Sequence, residues 1–206
     1  MTDLMPMVRA ERQTLSEFLD TLTPEQWAAP TVCDRWNVQD LVAHLVAAGH
    51  VTAPHFFVGL VRHGFSFDRF VENDVRTFNT GTTSEVKARF DQTVNSTRKP
   101  PGPAYVALGE VMIHGEDIRN AVGVRGQYSP EHLVTLADMY KRAGAPLRAK
   151  QRLKGLRLQA TDVDWSTGEG PEVSGPCMSL IQAMTGRRSA LADCTGEGVE
   201  ALKARS

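Results

Sequence analysis

The sequence is short of cysteine, and its cysteines are widely spaced. Its 206 residues include only Cys33, Cys177 and Cys194, and no two of them form a CxxC pair. A disulfide framework and a cysteine zinc site are therefore not indicated. We interpret the three side chains as thiols in a reducing compartment, with a cysteine nucleophile as the minority alternative.

The sequence also lacks an excess of one charge and any long apolar run. Its 23 Lys and Arg residues against 24 Asp and Glu give a formal net charge of −1, and the two signs mix along the chain. Because nucleic-acid binding needs clustered positive charge, we expect no nucleic-acid partner. No window approaches the roughly 18 apolar residues of a spanning helix, and the N-terminus has no run of signal-peptide type. We therefore expect a cytoplasmic protein without a membrane anchor.

The spacing of apolar residues changes near Lys154. Helical spacing predicts helices over residues 4–22, 38–62 and 67–78, another that begins at Ser84 as its N-cap, and two more over 104–121 and from Pro130. Capping boxes are predicted at Thr23 and Asn37. Apolar and polar residues then alternate over 156–161, which is typical of a strand, and Gly175-Pro176 opens another helix. We predict a mainly α protein with an antiparallel four-helix bundle over residues 1–150. A small α/β appendage should follow over 151–206.

One predicted helix carries charged residues on a face that also holds apolar ones. Glu110, His114 and Asp117 fall within about 60° of one another on the helix 104–121. Buried charge is costly unless it is paired or bound to a metal. Glu110 and His114, four residues apart, can offer two ligands to one ion, and an exposed or salt-bridged pair is the alternative.

His44 lies at the edge of the apolar stripe of the second long helix. A lone histidine there is more often a hydrogen-bonded core residue than a ligand. Metal sites in helical bundles, however, form where inward side chains of facing helices converge. Two histidines and one glutamate with a fourth position open describe a catalytic zinc site. The candidate metal ligands are therefore His44, Glu110 and His114.

Five segments resemble a known family. The segment CDRWNVQDLVAHL (33–45) is similar to the signature of the mycothiol-dependent maleylpyruvate isomerase N-terminal domain, in the DinB superfamily, where a tryptophan begins the second helix and a histidine-leucine pair follows. GEVMIHGEDI (109–118) resembles the family's matching segment, and TDVDWSTGEG, GPCMSLIQAMTGR and TGEGVEAL resemble the C-terminal part of actinobacterial members. The resemblance implies a DinB-like bundle, a divalent metal, usually zinc, held by His44, Glu110 and His114, and mycothiol as thiol cofactor. Positions that bind substrate or mycothiol are not matched, so those residues stay unassigned.

The remaining candidates have simpler interpretations. Asp117 is expected to orient His114 or to close the helix, with proton transfer as an alternative. We expect surface or loop positions for His50, His55, His63 and His132, with His55 as the first exception, and core positions for Trp27 and Trp36. Arg187 and Arg188 should face solvent or hold an acidic substrate. Cys33 has no base beside it in the sequence, so it is a poor candidate nucleophile.

The sequence supports a metal-dependent enzyme in which a cofactor supplies the thiol, because no protein nucleophile is convincing. A coordinating thiol loses its proton outright and can attack an electrophilic small molecule. Addition, rotation and elimination give an isomerase, displacement gives an S-transferase, and water activation for hydrolysis is a third use of such a site. The alternative is a non-catalytic module that binds a metal or small ligand. Either protein would be a monomer or a homodimer.

Overall fold

The computed structural model describes residues 3–33, 36–144 and 147–205. Asp34 and Arg35, which belong to the segment that carries the family resemblance, lie outside the described residues. Contacts divide the chain into two compact units, the first ending at Gly126 and the second beginning at Gln127. We expected the division near residue 150. It falls earlier because the helix Pro130–Tyr140 packs against a helix of the second unit.

Helices alone form the first unit over its described residues. They are α1 (Met5–Leu19), α2 (Pro24–Trp27), α3 (Val38–His50), α4 (Ala53–Arg62), α5 (Phe67–Phe78), α6 (Thr83–Thr93) and α7 (Tyr105–Ala121). Four of them close a bundle, since α1 packs on α7, α7 on α3, α3 on α6 and α6 on α1. The apolar core between them includes Leu15, Leu41, Phe90 and Leu108, all at most 1% exposed. The predicted bundle of four main helices is confirmed.

Capping explains where several helices begin. Thr23 with Gln26 and Asn37 with Asp40 form the predicted capping boxes, in which each side chain satisfies the other residue's backbone N–H. The prediction that Ser84 caps α6 is wrong. Thr82 is the cap, because its hydroxyl accepts from the Glu85 backbone and Glu85 accepts from the backbone of Thr82.

The prediction of one continuous helix over 38–62 is also wrong. Val51 has extended backbone angles and ends α3, and Thr52 then caps α4 by accepting from the backbone N–H of His55. Pro54 has no N–H with which to continue the hydrogen-bond ladder of α3. The apolar stripe continues across this break, which is why periodicity alone predicts a single helix.

The second unit combines helices with a small sheet. Its elements are α8 (Pro130–Tyr140), α9 (Ala149–Arg152), β1 (Arg157–Ala160), β2 (Ser166–Thr167), β3 (Glu172–Gly175), α10 (Cys177–Met184), a 3₁₀ helix (Arg188–Asp193) and α11 (Val199–Lys203). The central strand β1 pairs parallel with β3 and antiparallel with β2. The predicted strand over 156–161 is thus confirmed, and so is the helix after Gly175-Pro176. Among the described residues, no helix is long and apolar enough to span a membrane.

Candidate metal centre

His44, Glu110 and His114 come together where α3 packs against α7. His44 Nε2 donates to Glu110 Oε2 at 2.9 Å, and His114 Nε2 lies 3.7 Å from the same oxygen. One potential ligand atom from each residue lies within 4.8 Å of the other two. All three side chains are only partly buried, between 15% and 27% exposed. The bundle thus holds two imidazoles and a carboxylate at one point that solvent can reach.

Asp117 fixes the orientation of His114 from the protein side. The His114 Nδ1–H donates to Asp117 Oδ2 at 3.0 Å, and the Asp117 side chain is fully buried. A histidine whose Nδ1 carries this proton presents an unprotonated Nε2. A buried carboxylate behind a ligating imidazole is the usual support of a metal-binding histidine. The expected orienting contact of Asp117 is therefore present.

Cys33 lies beside the same group, which the sequence did not indicate. Its thiol donates to Asp117 Oδ2 at 3.6 Å, and its Sγ is 3.8 Å from His114 Nδ1. The expectation that Cys33 has no neighbouring base is therefore wrong, because folding brings together residues 81 positions apart. Cys33, His114 and Asp117 form a second group of potential metal ligands that shares His114 with the first.

The other two thiols have inert surroundings. Burial raises the pKa of Cys177 to about 12, helped by the negative charges of Asp162 and Asp138. Burial also raises the pKa of Cys194 to about 11, with a smaller contribution from Asp193. Neither side chain therefore offers a thiolate near neutral pH, so neither is a candidate nucleophile.

A cavity of about 340 Å³ opens onto the metal-ligand group. Its lining comprises Cys33, Trp36, His44, Phe67, Asp68, Val71, Glu72, Glu110 and His114. The prediction that Trp36 is a core anchor is wrong, because its ring is partly exposed and lies 5.1 Å, centroid to centroid, from the His44 ring. Trp27 is buried as predicted. The cavity has the volume of a small-molecule site, which is about 300–1,000 Å³.

The other sequence candidates do not line this cavity. His55, which we singled out among the outer histidines, pairs with Asp74 of α5 at 3.2 Å. His50 stacks on Phe78, and His63 and His132 are partly exposed. Of the two arginines expected in solvent, Arg188 is exposed, while Arg187 is partly buried and donates to the Thr185 hydroxyl.

Residues 8–108 match the model of the mycothiol maleylpyruvate isomerase N-terminal domain. The first unit is similar to this family over most of its length. The match confirms the resemblance of the segment 33–45. Because it ends at Leu108, it includes His44 but neither Glu110 nor His114. Glu110 and His114 are therefore assigned to the candidate site by their distances to His44 and to each other.

Solved structures show the same fold. A crystal structure of the mycothiol-dependent maleylpyruvate isomerase is similar with a TM-score of 0.59 at 14% sequence identity, over 94% of this chain and 91% of that one. A histidine-to-alanine mutant of the mycothiol-dependent maleylpyruvate isomerase gives a TM-score of 0.58 at 11% identity, with the same coverage. Identity this low establishes the fold and not the activity. No curated protein has a sequence significantly similar to this chain.

Proposed function

We propose that this protein is a metal-dependent enzyme that uses mycothiol to attack an electrophilic small molecule, as an isomerase or an S-transferase. The observation that carries the proposal is the meeting of His44, Glu110 and His114 at the wall of a cavity large enough for a small molecule. A three-ligand site that leaves one position open is the arrangement of catalytic zinc. The similarity of residues 8–108 to the mycothiol maleylpyruvate isomerase N-terminal domain supports mycothiol as the thiol.

The donor set fits a divalent metal, and zinc in particular. Imidazole nitrogens and a carboxylate oxygen are common zinc ligands, and tetrahedral ligands about 2.0–2.2 Å from the ion lie roughly 3.4 Å apart. The distances from Glu110 Oε2 to the two imidazole Nε2 atoms, 2.9 and 3.7 Å, bracket that value. The proton between His44 and Glu110 would leave on binding, because metal ligands must be deprotonated.

Each side chain of the site has a defined part in this reaction. His44, Glu110 and His114 would hold the metal, whose positive charge keeps a coordinating thiol deprotonated. Asp117 holds the proton of His114 Nδ1 and so keeps Nε2 directed at the ligand group. Trp36 packs on His44. Phe67 and Val71 give the cavity an apolar wall, which reduces the access of water to the reacting atoms.

The lining also favours one class of electrophile. Asp68 and Glu72 add carboxylates to the cavity, and no Lys or Arg is present among its described lining residues. A dicarboxylate would meet like charge there, whereas a neutral or cationic molecule would not. We therefore propose a conjugated or displaceable electrophile without multiple negative charges. Comparing turnover of a neutral and a dicarboxylate electrophile of equal reactivity tests this, and preference for the dicarboxylate contradicts it.

Cobalt substitution provides the direct test of the proposed thiol chemistry. The Co²⁺ protein should develop a thiolate charge-transfer band when mycothiol is added, and His114→Ala should abolish the band. Cys33→Ser is the matched control: the band should persist in it, because the thiol comes from the cofactor. A spectrum indifferent to mycothiol would instead favour a non-catalytic binding module. A band present before addition and lost in Cys33→Ser would identify Cys33 as the ligand and overturn the proposal.

A further inference from the structure

A basic segment lies in the second unit. Seven of the 17 residues from Lys141 to Arg157 are Lys or Arg, and none is Asp or Glu. The net charge of −1 for the whole chain conceals this concentration. The interpretation that the two signs of charge mix along the chain is therefore wrong for residues 141–157. Such a run is often only a solvated face, so its meaning depends on the shape of the surface that it forms.

Several described residues of this segment line a concave surface. A cavity of about 720 Å³ is lined by Lys141, Arg142, Lys150 and Lys154, together with Gln151, Thr167 and three other residues. We call it the basic cavity. Leu153 and Leu156 contribute buried side chains to its wall, so it is a depression in the packed unit and not a gap between mobile side chains. Its volume falls within the range of about 300–1,000 Å³ for small-molecule sites.

The positive charge of the basic cavity is only partly balanced within the protein. Lys141 pairs with Asp138 at 2.6 Å. Although partial burial alone would raise the Asp138 pKa, hydrogen bonds from Lys141 and Trp165 lower it, and Asp138 therefore stays charged. Within the described chain, Lys150 and Lys154 have no ion-pair partner. Nearby, burial and the charge of Arg148 both lower the pKa of Arg152.

The positively charged side chains that line the basic cavity therefore favour a negatively charged ligand. We propose that the basic cavity binds a small polyanion, a molecule with two or more phosphate or carboxylate groups. Lysine ammonium groups and an arginine guanidinium are the usual partners of such groups. The Gln151 amide and the Thr167 hydroxyl add neutral donors. A concave site of this size suits a small molecule better than the long, exposed basic stripe that binds nucleic acid. This proposal is independent of the metal centre.

Titration of the full-length protein with inorganic pyrophosphate and with citrate at low ionic strength tests the proposal. The double variant Lys150→Ala/Lys154→Ala should weaken binding of the better probe by about tenfold or more, a loss of about 1.4 kcal/mol. Both lysines are exposed, so the variant should keep its thermal unfolding midpoint. Lys99→Ala/Lys203→Ala removes the same formal charge outside the cavity, from one partly buried and one exposed position, and should change affinity by less than about twofold.

Three outcomes would overturn the proposal. The first is that neither probe binds, and the second is that both double variants lose affinity equally. The third is that duplex DNA binds tightly and is not displaced by either probe. Tighter binding of pyrophosphate than citrate would assign a phosphate ligand, and the reverse a polycarboxylate. In both of these cases the polyanion site stands.

Discussion

Among the described residues of the first unit, two histidine–carboxylate pairs join different helices, and only one of these two is part of a group of potential metal ligands. His44 and Glu110 lie 2.9 Å apart between α3 and α7, whereas His55 and Asp74 lie 3.2 Å apart between α4 and α5. The first pair has His114 as a third potential ligand within 4.8 Å. Among the described residues, the second pair has no third ligand at that distance. The pairs therefore differ in their surroundings more than in their chemistry.

The helices that carry the pairs explain the difference. α3 and α7 contribute many buried residues to the core, so their side chains are held in place from both sides. α4 has no buried residue, and Phe57, Val58 and Val61 on it are at least half exposed. A metal site requires ligands placed within a few tenths of an ångström, which packed helices provide and a surface helix does not. We infer that the metal site depends on the α3–α7 packing.

The largest expected effect comes from removing one histidine of each pair. His44→Ala or His114→Ala should lower zinc affinity by more than about 100-fold. Substituting a residue that only hydrogen-bonds to a metal ligand costs roughly 10–100-fold, and losing the ligand itself should cost more. His55→Ala, the matched control, should leave zinc affinity unchanged within twofold. Competition with a chelating dye measures both. Equal zinc affinity in all three variants and the unsubstituted protein would show that the metal binds elsewhere.

Zinc should also stabilise the folded protein, and only by binding at His44, Glu110 and His114. Zinc at 100 times its dissociation constant should raise the free energy of unfolding by about 2.7 kcal/mol, because it binds the native state only. The rise should persist in His55→Ala and disappear in His114→Ala. Thermal unfolding with zinc and with a chelator measures it. A rise that survives in His114→Ala would contradict the site.

A smaller effect on zinc affinity is expected from substituting Asp117, whose carboxylate accepts the hydrogen bond of His114 Nδ1–H. Asp117→Asn keeps the size of the side chain but removes the charge that favours a proton on His114 Nδ1. We expect zinc affinity to fall by about 10–100-fold, as for other changes behind a metal ligand. Asp74→Asn, the corresponding change at the second pair, should have no effect on zinc. If Asp117→Asn lowers stability but leaves zinc affinity unchanged, Asp117 is structural and does not position His114.

The contacts of the candidate site could be predicted from the sequence only where the residues are close along the chain. Glu110, His114 and Asp117 are near in sequence and share a helix face, so periodicity alone brings them together. His44 could be proposed from its place on the apolar stripe, and the family resemblance then supported it, since nothing local says which helix α3 faces. The contact between Cys33 and His114 spans 81 residues and starts in a loop, where no periodicity exists.

The break between α3 and α4 illustrates the converse case. The signal was present in Thr52 and Pro54, yet the apolar stripe that continues across them favoured one helix. The cap and the proline determine the break because they act on backbone hydrogen bonds, whereas the stripe only says which side faces inward.

The smallest expected effect is on stability, and it comes from removing the N-cap side chains of α3 and α4. Asn37 caps α3 and Thr52 caps α4, each by accepting a backbone N–H three residues on. Asn37→Ala should lower the global free energy of unfolding by about 1 kcal/mol. Thr52→Ala should lower it by less than about 0.5 kcal/mol, because a helix without buried residues opens locally before the core unfolds. Urea denaturation with an unchanged slope measures the first, and faster hydrogen exchange confined to α4 measures the second. An equal global loss in both variants would mean that α4 unfolds with the bundle, and the contrast between the two histidine pairs would then need another cause.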